Sequence, residues 1–220
     1  MCFSAEASIA AYILGSISSL YLLIKGDKYD KHIGLFSLTF IQVQLAEFFI
    51  WIDLDCNKNI NHYATIFLRY ILILQPLSII LGAILFKTTN IPNNLLYFLV
   101  LCYVIYLLVL SIGIIYNKRK LCSKTINNGY LEWDNINETY LFNNFIYFIY
   151  FILMFLIWPF VKNKKGLIVF IFGILSLLFG LNNNYEFNFA QWESKWCFFG
   201  VLLPFIIIIY NNINYIKLKH

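Results

Sequence analysis

The stretch His62–Phe86, HYATIFLRYILILQPLSIILGAILF, carries Arg69 as its only formal charge and is long enough to cross a bilayer as a helix. An α-helix rises about 1.5 Å per residue, so roughly 20 apolar residues span the hydrocarbon core. Outward from it the same pattern recurs at Ser8–Lys25, His32–Ile52, Leu95–Tyr116, Asn144–Val161, Gly166–Leu181 and Trp196–Asn212. With 61% hydrophobic residues, 12% charged residues and a mean hydropathy of +0.73, the composition is not that of a water-soluble domain. The expectation is an all-α chain, an integral membrane bundle of seven transmembrane helices forming a single domain over residues 1–220. The short run Gly166–Leu181 leaves six spans plus a re-entrant segment as the alternative. Connectors such as Gly26–Lys31 and Lys162–Lys165 are short enough to force antiparallel neighbours. Met1–Ser8 lacks the positive region of a signal peptide, so the first helix is expected to stay in the mature chain.

Charge sets the expected orientation. The N-terminus and the second, fourth and sixth connectors share one side, here side A, and the other connectors and the C-terminus share side B. Side B holds Lys25, Lys28, Lys31, Lys87, Lys162, Lys164, Lys165, Lys217 and Lys219, and side A holds Lys58, Lys118, Arg119, Lys120, Lys124 and Lys195. The excess places side B and the C-terminus in the cytoplasm and the N-terminus outside it. Cys2, Cys56, Cys122 and Cys197 fall on or near side A, where an oxidising compartment lets cysteines pair. They are candidate disulfide or reactive thiols; Cys2 with Cys197 and Cys56 with Cys122 is one of three possible pairings. The sequon Asn137-Glu138-Thr139 lies on the same side. The net charge of +5, concentrated on side B, suits anionic lipid headgroups and not nucleic acid, so membrane lipids are the expected partners.

Ionisable groups inside the spans are few. Glu47 lies near the side A end of the second span, with Gln44 at i−3 and Trp51 at i+4 on one helical face. Arg69 lies at a comparable depth in the third span. A charge at the helix centre costs about 2.5–3.5 kcal/mol on insertion scales, so Glu47 and Arg69 are expected to face each other, with Gln44 and Gln42 nearby. That set reads either as a structural ion pair or as a ligand-binding pocket of Gln44, Glu47, Arg69 and Trp51 opening to side A. Gln75-Pro76 marks a break in mid-helix, either a kink or a cavity wall. Trp51, Trp133, Trp192 and Trp196 read as interfacial anchors, and Ala7, Ala11, Gly15 and Ser19 as a packing seam. No tight His or Cys spacing points to a metal site, and no cofactor is implied. His62 is the one histidine placed to serve Cys2 as a base. The segment Asn117–Asn143 is the one connector long enough to form a lid.

The opening Met1-Cys2-Phe3-Ser4-Ala5, the Gln44-x-x-Glu47 pair and Trp196-Cys197 resemble a family of polytopic membrane proteins of unassigned activity, with bacterial members and relatives in large DNA viruses. The block from Asp27 to Ser78 looks closest to the viral members. Phe48 follows the glutamate where bacterial members carry glycine. The resemblance implies that Cys2, Glu47 and Cys197 belong together near one membrane face, and that the protein resides in a host endomembrane or virion membrane. The expected function is binding or sensing of a small ligand or lipid. A membrane-embedded enzyme using Cys2 or Glu47 on a lipid or thiol, and a structural membrane component, are the alternatives.

Overall fold

The computed structural model describes residues 4–116, 120–125, 131–134, 150–181 and 200–217. Seven helices are described: α1 (Ala5–Lys25), α2 (Lys28–Ile52), α3 (Ile60–Phe86), α4 (Asn93–Tyr116), α5 (Tyr150–Phe160), α6 (Lys164–Leu181) and α7 (Leu203–Lys217). Two short strands, β1 (Lys124–Thr125) and β2 (Leu131–Glu132), pair antiparallel between α4 and α5. The end of the bundle holding the α1 N-terminus is called the A end, and the opposite one the B end. Helices α1, α2 and α3 are long and apolar enough to cross a membrane.

The helix ends follow from local chemistry. Ser4 caps α1 by accepting from the Ala7 N–H at 3.2 Å. Only Gly26 and Asp27 separate α1 from α2, and Asp27 forms a capping box with Asp30 that satisfies the first free N–H groups of α2. A β-carbon at Gly26 would run into Asp30, so this reversal requires glycine. Pro76 lies within α3, which continues past it. Of the expected last span, Trp196–Asn212, residues 196–199 lie outside the described residues; a turn at Val201–Leu202 precedes α7, which runs to Lys217. Pro204 has no N–H to donate and belongs in a first turn, so a helix starts there instead of running through.

Helices α2 and α3 form the centre, each with more than half of its apolar window buried, against a third for α1. The buried residues of α1 are Ser8, Ala11, Gly15, Ser18, Ser19 and Leu22, of which Ala11 and Gly15 meet Ile41 of α2, and Ser19 and Leu22 meet Gly34. Ala7, expected in the seam, is half-buried. Gly34 of α2 lies so close to α1 that a β-carbon there would be 2.8 Å from the Ser19 carbonyl. Such backbone approach is how helices gain packing where the surroundings are as apolar as the side chains. Helix α4 is apolar all round yet leaves Leu95, Phe98, Leu101, Ile105, Leu108 and Ile112 exposed.

The B end is stitched across loops. Thr89 bridges Val161, the Lys162 N–H donates to the Thr88 carbonyl at 2.8 Å, and the Asn90 N–H to the Phe160 carbonyl at 3.1 Å. Beneath these loops His32 of α2 is buried, stacked on Trp158, with ring nitrogens 2.8 Å from the Ile79 carbonyl and 2.7 Å from the Thr88 hydroxyl. A carbonyl only accepts, so Nε2 carries the proton and Nδ1 accepts from Thr88.

Candidate functional site: a capped polar cluster at the A end

Gln44 and Glu47, one turn apart on α2, are both fully buried, and the Gln44 Nε2 donates to the Glu47 carboxylate at 3.0 Å. Trp51, one turn further on, is half-buried, and its indole N–H finds no hydrogen-bond partner among the described residues. Gln42 donates back to the Leu38 carbonyl of its own helix and takes no part. On α3 the Arg69 guanidinium donates to the backbone carbonyl of Asp134. Gln44 is thus one contact of Glu47, and Asp134 one contact of Arg69.

Asp134 belongs to a cap built from residues 120–125 and 131–134, with β1 and β2 in register Lys124↔Glu132 and Thr125↔Leu131. Every described polar tie holds it to the α2–α3 turn or to α3. A disulfide joins Cys56 in that turn to Cys122, with Cα atoms 5.9 Å apart. Lys120 Nζ donates to the Cys56 carbonyl at 2.6 Å, and the Leu121 N–H donates to Nδ1 of His62 at 3.0 Å. Asn61 Nδ2 donates to the Ser123 carbonyl at 2.8 Å while the Ser123 N–H donates to Asn61 Oδ1 at 2.9 Å. The Thr65 and Ser123 hydroxyls meet at 2.8 Å, and the Cys122 N–H donates to the Asp134 carboxylate at 2.8 Å. Leu121, Leu131 and Trp133 point into the protein and are buried.

Asp53 sets the geometry beneath this cap. Asn59, at the start of α3, makes no side-chain cap of its own, and its φ of 60° is left-handed. The Asp53 carboxylate takes over by accepting from the Lys58 N–H at 3.0 Å and the Asn61 N–H at 3.1 Å. Burial works against its charged form, but the backbone N–H donors of Lys58, Asn61, Asn57 and Ile60 outweigh it and hold its pKa below the usual carboxylate value.

A second cluster lies at the B end. Lys165 of α6 is buried between Asp30 at 2.7 Å and Asp27 at 2.8 Å, and Asn211 of α7 donates to Asp30 at 3.0 Å. Burial opposes charge at Asp27, yet the Lys165 hydrogen bond and charge, with the Asp30 and Tyr29 N–H groups, keep its pKa below normal. Lys165, counted above among the lysines of the lipid-facing surface, is therefore a buried tie between helices. Between α2, α5, α6 and α7 an apolar crevice is walled by Phe36, Phe40, Met154, Phe155, Trp158 and Phe172.

Sequence reasoning singled out Gln44, Glu47, Trp51 and Arg69 but passed over Asn61, Thr65, Ser123 and Asp134, which hold the cap. The available signal was Asp53 followed by Asn61 and Thr65, polar residues at the start of an otherwise apolar helix. Cys2, Cys197, Trp192, Trp196 and the Asn137 sequon lie outside the described residues. Among the described residues, no three His, Cys, Asp or Glu side chains gather as a metal site. Comparison with protein-family models, curated protein sequences and solved structures finds no match. Fold and site together define a helical protein with three membrane-length helices and a buried carboxylate–amide pair near a disulfide-tied cap.

Proposed function

We propose that the protein is a multi-pass integral membrane protein that holds a small polar ligand or a lipid headgroup in a pocket at its non-cytoplasmic A end. The observation that carries this reading is the complete burial of Gln44 and Glu47, bonded to each other one to two turns from the end of α2. A carboxylate at that depth in a bilayer is costly, and such groups are kept where they bind or move something. Arg69 adds a cation deeper than the α3 start, and its bond to Asp134 links the pocket to the cap.

Two further features support the membrane setting. Helix α4 exposes a continuous stripe of large apolar side chains over about half of its circumference, far more than a monomer in water tolerates. The Cys56–Cys122 disulfide favours an oxidising space at the A end, hence a cytoplasmic C-terminus and exposed lysines (Lys25, Lys28, Lys87, Lys162, Lys164) against anionic headgroups. The N-terminal tag and the Gln44-x-x-Glu47 pair resemble those of the bacterial and viral membrane family, a resemblance that implies Cys2, Glu47 and Cys197 lie near one membrane face. A Cys–His enzyme draws less support, because His62 commits Nδ1 to Leu121, leaving Nε2 protonated in the neutral ring.

Native mass spectrometry of the protein in a mild detergent tests the reading. Wild type is expected to retain a lipid or metabolite that Glu47→Gln loses while keeping its helical content and melting temperature. An adduct held equally by both proteins, or no adduct in wild type, would overturn it.

A further inference from the structure

Gln75 is fully buried in α3, about 22 Å from the A end and about 16 Å from the B end. Its carbonyl oxygen Oε1 accepts from the Tyr150 hydroxyl of α5. Its amide nitrogen Nε2, with two N–H donors, finds no hydrogen-bond partner among the described residues. The next residue is Pro76, which has no N–H, so the Leu72 carbonyl one turn back loses the partner that every other residue type would supply. The Ser78 hydroxyl meets the Gln75 backbone carbonyl at 2.7 Å, so that carbonyl is already served. One turn of α3 in mid-bundle thus offers two amide donors and one backbone acceptor. Leaving a buried amide without a partner costs more than its hydrogen bond is worth when made.

We propose that this turn is a second binding site, separate from the A-end cluster, for a hydroxyl group that accepts from Gln75 Nε2 and donates to the Leu72 carbonyl. A hydroxyl is the smallest neutral group that does both, and a charged ligand at this depth would meet no compensating charge on these residues. The Tyr150 hydroxyl donates to Gln75 Oε1, which fixes Nε2 as the group left to be served. The hydroxyl has two sources: water, or a neutral lipid alcohol such as diacylglycerol. The apolar crevice is the nearest route for the second source: its wall residue Met154 lies one turn from Tyr150 on α5.

Solid-state NMR of perdeuterated protein labelled with 15N-glutamine, in phosphatidylcholine bilayers with and without diacylglycerol, tests the site. The chain has four glutamines, and the Gln75 NH2 signal is assigned by its loss in Gln75→Met, or in Gln75→Asn should the first variant not fold. The expected result is magnetisation transfer to this NH2 from a non-protein hydroxyl. Transfer from water protons, unchanged by diacylglycerol, assigns water; transfer that appears only with diacylglycerol assigns the lipid alcohol. Build-up from protein protons alone in both bilayers overturns the proposal. The A-end pocket is read by its adduct in native mass spectrometry and this site by the Gln75 NH2 signal, so the two failures are read separately.

Discussion

The side chain of Asn61 and the backbone of Ser123 exchange two hydrogen bonds, of 2.8 and 2.9 Å, as two strands would across a ladder rung. The backbone N–H of Ser123 only donates and its carbonyl only accepts, so the orientation of the Asn61 amide is settled by chemistry. One buried side chain at the start of α3 thereby completes the cap, and Asp53 in turn completes the first turn of α3.

Asn61→Ala should therefore cost about 2–4 kcal/mol, since both backbone groups of Ser123 lose their partner in a buried site. Thermal unfolding in detergent measures it. Asn61→Asp should cost as much, because a carboxylate has no N–H for the Ser123 carbonyl. A loss below ~0.5 kcal/mol in both variants would mean the cap contributes nothing to the folded state.

The Cys56–Cys122 bridge spans a sequence separation of 66, and loop-closure entropy for such a length gives about 4 kcal/mol as a ceiling. Cys56→Ser with Cys122→Ser is expected to lower the melting temperature and to release the cap. Trp133, buried under the cap, reports the release through a red-shifted emission.

Acid should loosen the same region. The pKa of Asp53 is depressed in the folded protein, so the carboxylate stabilises the fold above its ordinary value of 3.8. That contribution falls away as pH drops through the lower folded value. Trp133 emission titrated from pH 6 to pH 2 should shift as Asp53 protonates. Asp53→Asn, which keeps one acceptor oxygen and carries no charge, should flatten that part of the curve.

At the opposite end, Lys165→Met leaves Asp30, 3% exposed, beside Asp27 with no cation. Removing one partner of a buried pair costs about 3–5 kcal/mol, whereas replacing all the charges is often neutral. Lys165→Met should be strongly destabilised, and adding Asp30→Asn with Asp27→Asn should recover most of the loss in the same melting assay.

Gly34→Ala tests the α1–α2 seam. Alanine favours a helix over glycine by about 1 kcal/mol, but its β-carbon would sit 2.8 Å from a backbone oxygen that cannot rotate away. The clash should win by about 1–3 kcal/mol. An unchanged or raised melting temperature would mean the two helices separate without penalty.

The amino-acid sequence by itself determined the helical class and the approximate ends of α1 to α4. Apolar length and the Gly26-Asp27 and Lys162–Lys165 interruptions are local properties, readable one segment at a time. It also singled out Glu47 and Gln44, because their spacing alone puts them on one face of one helix. Only the tertiary structure decided which groups meet across elements. It brought the Asp134 carbonyl within reach of Arg69, withdrew Lys165 from the surface, chose Cys122 for Cys56 and made Asn61 the tie to the cap. Those pairings join residues far apart in the chain, and no periodicity encodes them. They follow from how α2 and α3 pack and from where a polar hairpin finds backbone partners once it is folded over their end.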